Sequence, residues 1–399
     1  MTPLIGLEEF TAEAREFVGK HAQRRTDTFR WGEGSDVIPF FEGIEDDETA
    51  LKRGREWART RYDAGYGWIT GPATYGGREL PPAYELAYRI IESEHEVADT
   101  SHLELGWGMV GPTILTWAPD ALKEEVLRPL YRGDFVACQL FSEPEAGSDL
   151  AGVRTTAVRD GDEWVVNGQK VWTSDAQHSQ IGLLLARTNP EAPKHKGLTM
   201  FLIDMSTPGV DVRPLRQMSG TAHFNEVFFD DVRIPDSRRL GDVDNGWRVA
   251  LTTLMNERGS VGAGPPNTMA ALHTDRLVEL VKRQGKAADP LVRQEVARVV
   301  GGFTLARLLD QGIRERLLQG GEPGPEASVL KLMFARNLIN VAAFATSVLG
   351  PAATADTGEW GTFSWSQFRL ATPALRILGG TEEIMKNILA ERVLGLPKD

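Results

Sequence analysis

Three segments of this sequence carry residue types that could do chemistry. The first is Gln139-Leu140-Phe141-Ser142-Glu143-Pro144-Glu145-Ala146-Gly147-Ser148-Asp149, an apolar strand running into a turn rich in small and hydroxyl side chains. Such a turn lets backbone approach a flat polar ligand while Ser142 and Ser148 donate hydrogen bonds; an ordinary loop after a strand shares the pattern. The second is Lys170-Val171-Trp172-Thr173-Ser174, an aromatic followed by two hydroxyls at a strand end. Its indole can stack on a flat ring or fill a core. The third is a helix over Trp247–Val261, whose apolar stripe passes through Ala250, Leu254 and Val261 and also takes in Glu257. A carboxylate on an apolar face is costly unless it is paired or used. Arg258 points about 100° away from its neighbour and does not pair with it simply. Glu257 is therefore either half of an ion pair with a distant arginine or a desolvated general base, whose basicity rises in an apolar pocket.

Other common sites are missing from the sequence. None of the seven histidines falls in an HExxH pattern, and the closest pair, His95 and His102, sit seven apart on what reads as one helical face without a third ligand. Gly262-Ala263-Gly264 runs into Pro265-Pro266 and cannot open a dinucleotide-binding helix. There is no phosphate-binding loop of the Walker type and no serine nucleophile elbow. The chain has 44 Lys+Arg against 56 Asp+Glu, a formal net charge of -12, which argues against phosphate-backbone binding. The single cysteine, Cys138, can form neither an intrachain disulfide nor a thiolate cluster, and points to a reducing compartment. The first twenty residues hold Glu8, Glu9, Glu13 and Glu16, unlike a signal or transit peptide. The longest uncharged apolar run, near Val341–Leu349, reads as far too short for a membrane span. A cytoplasmic protein is expected.

The elements that must position these residues divide the chain by period. At about 150 residues per domain, the length predicts two or three domains. From Leu7 to about Gly133 the pattern is helical, with Phe10, Ala14 and Phe17 and later Tyr84, Ala87, Ile90 and Ile91 recurring on one face. Between them lies a breaker-rich loop over Gly67–Gly77. From Phe135 the period becomes two. Residues 162–172 read as a hairpin joined at Asn167-Gly168, and Ile181–Ala186, Thr199–Ile203, Val210–Pro214 and Asn225–Phe229 read as short antiparallel strands ending near Leu240. From Asn245 the helical period returns, broken at Gly320–Pro325 and Gly350-Pro351, and a last helix starts after Gly379-Gly380-Thr381 and closes at Gly395.

In this order the segments resemble the acyl-CoA dehydrogenase family of flavoproteins. The resemblance spans nearly the whole chain and rests on Ser142–Asp149, on Asn167-Gly168-Gln169-Lys170-Val171-Trp172, on Asn256-Glu257-Arg258 and on Leu378-Gly379-Gly380-Thr381-Glu382-Glu383-Ile384. It implies an α+β multidomain fold: an N-terminal α-helical domain (1–134), a middle antiparallel β-barrel (135–242) and a C-terminal four-helix bundle (243–399). It implies bound FAD, with Phe141, Ser142, Trp172 and Ser174 flanking the flavin ring. Ser148 and Arg258 would meet the CoA substrate, Thr381 and Glu383 the adenosine end of FAD, and Arg283 its pyrophosphate across a subunit interface. The implied reaction removes a proton alpha to an acyl-CoA thioester while hydride leaves the beta carbon for the flavin, giving a trans-2-enoyl-CoA. An electron-transfer flavoprotein as acceptor, a tetramer and a place in fatty-acid metabolism follow from the same resemblance.

One departure bears on mechanism. Many members carry the base as a Glu just before the Gly-Thr of the C-terminal motif, where this chain has Gly379. In a minority the base comes from the position before an Arg on the helix that here holds Glu257-Arg258, and the stripe selects the same residue. Ser347–Pro351 departs where many members have a Gln meeting the neighbouring FAD. Two alternatives remain open: a non-catalytic subunit that pairs with an active relative, and a member running oxidase or desulfinase chemistry.

Overall fold

A computed structural model describes residues 5–25, 47–261, 274–319, 324, 327–354 and 362–397. The helices up to the sheet are α1 (Leu7–His21), α2 (Asp47–Asp63), α3 (Pro82–Ser93), α4 (Ser101–Leu105), α5 (Gly111–Trp117) and α6 (Asp120–Arg132). The strands are β1 (Ala137–Leu140), β2 (Thr156–Asp160), β3 (Glu163–Ser174), β4 (Ile181–Arg187), β5 (Leu198–Asp204), β6 (Val210–Leu215), β7 (Phe224–Pro235) and β8 (Arg239–Leu240). After them come α7 (Gly246–Val261), α8 (Thr274–Arg283), α9 (Pro290–Leu318), α10 (Ala327–Leu349), α11 (Thr362–Ala371) and α12 (Glu382–Ile388).

These elements form two compact units that cut across chain order. One holds α2, α4 to α7 and the whole sheet; the other holds α1, α3 and α8 to α12. In the first unit the hydrogen-bonded path runs β6-β7-β3-β2-β4-β5-β8, with β1 beside β4. Alternation explains how this sheet serves two cores. Leu183 and Leu185 on β4 and Met200 and Leu202 on β5 pack with α5 and α6 residues such as Ile114, Val126 and Leu130. The intervening Leu184, Ala186, Phe201 and Ile203 face a second core with Trp164, Val166, Val227 and Ile234 from β3 and β7. Trp164 and Phe201, on strands that are not neighbours, meet at 5.4 Å between ring centroids, so the sheet curls around that second core.

Two expectations about the sheet need correction. Asn167-Gly168 is no hairpin turn: β3 runs unbroken from Glu163 to Ser174, and its turn is Gly161-Asp162, because Asp160 pairs with Glu163. Gly161, at φ +63, supplies the left-handed first position of that two-residue loop. Gly168 instead sits at a register shift between β3 and β7, where an added Cβ would lie 2.6 Å from Thr155 Oγ1. The sheet is also mixed, because β1 and β4 run parallel, with Ala137 opposite Ile181. The crossover that a parallel pair requires is supplied by the segment carrying β2 and β3.

In the second unit α10 packs against α8, α9, α11 and α12 around Leu280, Leu338, Ala342, Trp365 and Phe368. This central position corrects the reading of Val341–Leu349 as too short. The segment Ser328–Thr354 is long and apolar enough by composition to cross a membrane, with mean hydropathy 1.4, and half of that window is buried in the unit's own core.

Candidate functional site

The first two sequence segments meet at one end of the sheet. As β1 ends, Phe141 is buried, and the Ser142 carbonyl accepts a hydrogen bond from the Val171 N–H at 2.9 Å, which ties the β1 exit to the end of β3. Beneath that contact lies an ion pair absent from the expected site. Lys170 is fully buried; its Nζ donates to Phe141 O at 2.9 Å and to Glu143 Oε1 at 2.8 Å. Glu143 also accepts the Arg154 N–H at 2.6 Å and the Thr155 N–H at 2.9 Å, so both ends of the 141–155 loop are tied to this pair. Burial pulls the Lys170 ammonium down to about 8 although Glu143 favours its charge. Burial pushes the Glu143 carboxyl up, but Lys170 and the two backbone donors outweigh it and leave the group below the ordinary carboxylate range. A pair so enclosed contributes through geometry, since removing one partner strands a charge. The parity of Trp164, Val166 and Lys170 on β3 is the signal that could have found it.

Trp172 lies on the second irregularity of β3, between Lys170 and Thr173. Its φ is +61 and its side chain is 58% exposed, with the ring 5.9 Å from Phe224. A left-handed non-glycine residue costs about 1–3 kcal/mol, so the surrounding pairing must enforce it. Ser142 and Ser174 are half-buried, and among the described residues neither hydroxyl has a hydrogen-bond partner. An open indole face beside two unengaged hydroxyls fits the flat, hydrogen-bonding ring of a flavin. Ser148 is exposed in the same loop, and an added Cβ at neighbouring Gly147 would meet open space.

The remaining candidates are distributed as follows. Thr381 caps α12, its Oγ1 accepting the Ile384 N–H at 3.3 Å, and Glu383 is exposed in the first turn. Its own backbone N–H holds the Glu383 carboxyl below the usual range. Glu382 is buried and pairs with Arg376 at 3.3 Å. Gly379 and Gly380 take φ +64 and +91, and Lys331 Nζ donates to Gly380 O at 2.6 Å, so the backbone at Gly379 itself calls for glycine. Arg283 ends α8 and pairs with Glu279 at 3.1 Å. On α7, Val249, Ala250 and Thr253 are buried, and Leu254 packs against the same core. The side chains of Glu257 and Arg258 lie outside the described residues. His95 and His102 do not share a helix: His95 follows α3, His102 lies in α4, and their units differ. Breakage of the helical period at Ser93 separates them. Among the described residues no three metal-ligating side chains cluster.

Comparison with known proteins gives matches over both units. Residues 138–232 match the model for the acyl-CoA dehydrogenase middle domain and residues 244–394 that for the C-terminal domain. The chain is 41% identical over 330 residues to Acyl-CoA dehydrogenase FadE34 of Mycobacterium tuberculosis, which covers 82% of this chain and 44% of that protein. It thus spans less than half of that relative's length. It is 38% identical over 351 residues to Acyl-CoA dehydrogenase IpdE1 of the same organism, covering 88% of this chain and 90% of the relative. Among solved structures it is similar to the ChsE4-ChsE5 complex from Mycobacterium tuberculosis, at 25% identity, TM-score 0.71 and 100% coverage of both chains.

Proposed function

This chain belongs to the acyl-CoA dehydrogenase family of FAD-dependent oxidoreductases, and from that premise we propose that it converts an acyl-CoA thioester to its trans-2-enoyl-CoA with Glu257 as the base. The observation that carries the reading is the exposed Trp172 indole on the strand end that meets the β1 exit, with the unengaged hydroxyls of Ser142 and Ser174 on those same two segments. Phe141, buried at the end of β1, is proposed to flank the ring as well. Bound FAD supplies the acceptor for the hydride that leaves the beta carbon. Thr381, Glu383 and Arg283 are proposed to hold its adenosine and pyrophosphate end, where a carboxylate suits ribose hydroxyls.

The protein's own part is proton removal and exclusion of water. An alpha C–H is weakly acidic, so the base must be strong and the developing enolate must be stabilised by hydrogen bonds in a dry site. A base at position 257 requires such surroundings, on the helix whose earlier turns bury Val249 and Ala250. Arg258 and Ser148 are assigned to CoA. Because residue 379, where many family members carry the base, is a glycine here, branched or bulky acyl groups are the proposed substrates. The acceptor is taken to be an electron-transfer flavoprotein, and the setting cytoplasmic lipid metabolism, where a buried, unpaired Cys138 is at home.

Glu257→Gln should retain yellow flavin and lose reduction of that flavin by acyl-CoA; full activity in this variant overturns the assignment. Flavin bleaching across straight, branched and steroid-like acyl-CoAs then sorts the substrate class. One observation favours a second reading: the chain aligns end to end with a protein solved as a complex of two differently named chains. A heteromeric partner subunit, purified alone, should contain no flavin, whereas a self-sufficient homotetramer should be yellow.

A further inference from the structure

His102 and Asp175 form a contact that the site described above leaves unused. Asp175 follows Ser174 directly, and its φ of +57 makes it the second left-handed non-glycine residue, after Trp172, within four positions of the strand end. Its Oδ1 lies 2.7 Å from His102 Nδ1, and the two side chains are only 18% and 12% exposed. The backbone around it is held by separate bonds: Ser179 Oγ and the His178 N–H donate to Asp175 O, and Asn225 Nδ2 donates to Thr173 O. Among the described residues the Asp175 carboxylate is hydrogen-bonded by His102, on α4. That helix is anchored by Leu103, which is buried with Ala58 and Val136. Both residues belong to the unit that carries the sheet.

We infer that His102 is a positioning residue for the Trp172–Ser174 segment, its hydrogen bond to Asp175 fixing the strand end at the angle that presents the indole and the Ser174 hydroxyl to the flavin ring. Strand pairing holds the costly left-handed backbone at Trp172 on one side, and the packed imidazole on α4 is placed to hold the segment from outside the strand through Asp175. A partly screened hydrogen bond to a carboxylate is among the stronger ones available for the purpose. This inference rests on the proposed flavin reading of Trp172, and the experiment separates the two.

Apo-protein is titrated with free FAD, following the visible flavin spectrum, for the parent and for His102→Ala, His102→Asn and Trp172→Ala. His102→Ala should weaken FAD binding by about tenfold, the order expected for loss of one hydrogen bond to a charged group, and shift the flavin band. His102→Asn, whose amide places a donor near the position of Nδ1, should stay within about threefold of the parent. Parent-like FAD binding and spectrum in His102→Ala, with Trp172→Ala altered, overturn the inference alone. Unaltered behaviour in Trp172→Ala overturns the flavin reading itself. Failure of His102→Asn to recover anything lost in His102→Ala also counts against the hydrogen bond. Should His102→Ala not fold, Asp175→Asn carries the same test, because asparagine accepts φ +57 and removes only the charge that strengthens the bond, so FAD binding should weaken in the same direction.

Discussion

Lys170→Met removes the buried cation hydrogen-bonded to Glu143 and leaves that carboxylate hydrogen-bonded by the Arg154 and Thr155 N–H groups. Stability should fall by about 3–5 kcal/mol, the usual cost of stranding a buried charge. Lys170→Met with Glu143→Gln should recover much of the loss, and urea midpoints of the three variants decide it; equal destabilisation in single and double variants rejects the pairing. Asp236 offers a pH test at the same scale. Hydrogen bonds from Arg239 at 2.9 Å and from Trp164 Nε1 at 2.8 Å hold its carboxyl down to about 2, against 3.8 for the free group. Folding thus favours the ionised form. Its contribution is present above pH 3.8 and is lost as pH falls from there toward about 2, because the unfolded chain takes up the proton first. Asp236→Asn should flatten the acid limb of the melting curve across that window while changing little of its slope at pH 6.

At the scale of elements, two glycines of nearly equal appearance in sequence do different work. Gly161 makes the β2–β3 turn, and a Cβ there meets nothing within 4 Å; Gly168 sits where a Cβ would lie 2.6 Å from Thr155 Oγ1 and 2.7 Å from its Cα. Gly161→Ala should cost about 1 kcal/mol through its left-handed φ alone. Gly168→Ala should cost about 1–3 kcal/mol more, because backbone must shift, and it should also loosen the Lys170 end of β3. Thermal unfolding of the two variants orders them, and a larger loss at Gly161 contradicts the bulge. The same pair shows what the sequence could reveal. Short apolar runs mark β4 and β5 nearly to the residue, since each buries six consecutive residues, and alternation marks β6, where half-buried Val210 and Val212 alternate with exposed Asp211 and Arg213. Asn-Gly chemistry is equally good for a tight turn and for a bulge, so the local signal at Asn167-Gly168 could not tell one from the other. Taking β3 as two strands hid the inward parity of Lys170, and with it the Glu143 pair. The parallel partnership of β1 and β4 joins residues more than forty positions apart and has no local signature. Trp172 was legible as an aromatic at a strand end, but its exposure depends on the register shift that only the β7 partner creates.

For the whole molecule, charge poses the sharpest question. The chain carries a formal net charge of -12, and the proposed substrate is itself a multiply charged anion. If the global charge governed encounter, added salt would screen repulsion and speed acyl-CoA binding. If Arg258 and its neighbours dominate at the mouth of the site, added salt would screen attraction and slow it. Screening lengths decide between these: about 30 Å at 0.01 M against about 8 Å at 0.15 M, so the diffuse negative field is damped well before a contact cation is. The distribution of charge, and not its sum, then sets the association rate. The proposed assignment of Arg258 predicts the second outcome. In stopped flow, the second-order rate of flavin perturbation by acyl-CoA should fall severalfold between about 0.02 and 0.3 M salt, and Arg258→Gln should remove most of that dependence. A rate that rises with salt in the parent would leave no role for Arg258 in CoA capture and would move the phosphate contacts elsewhere on the chain.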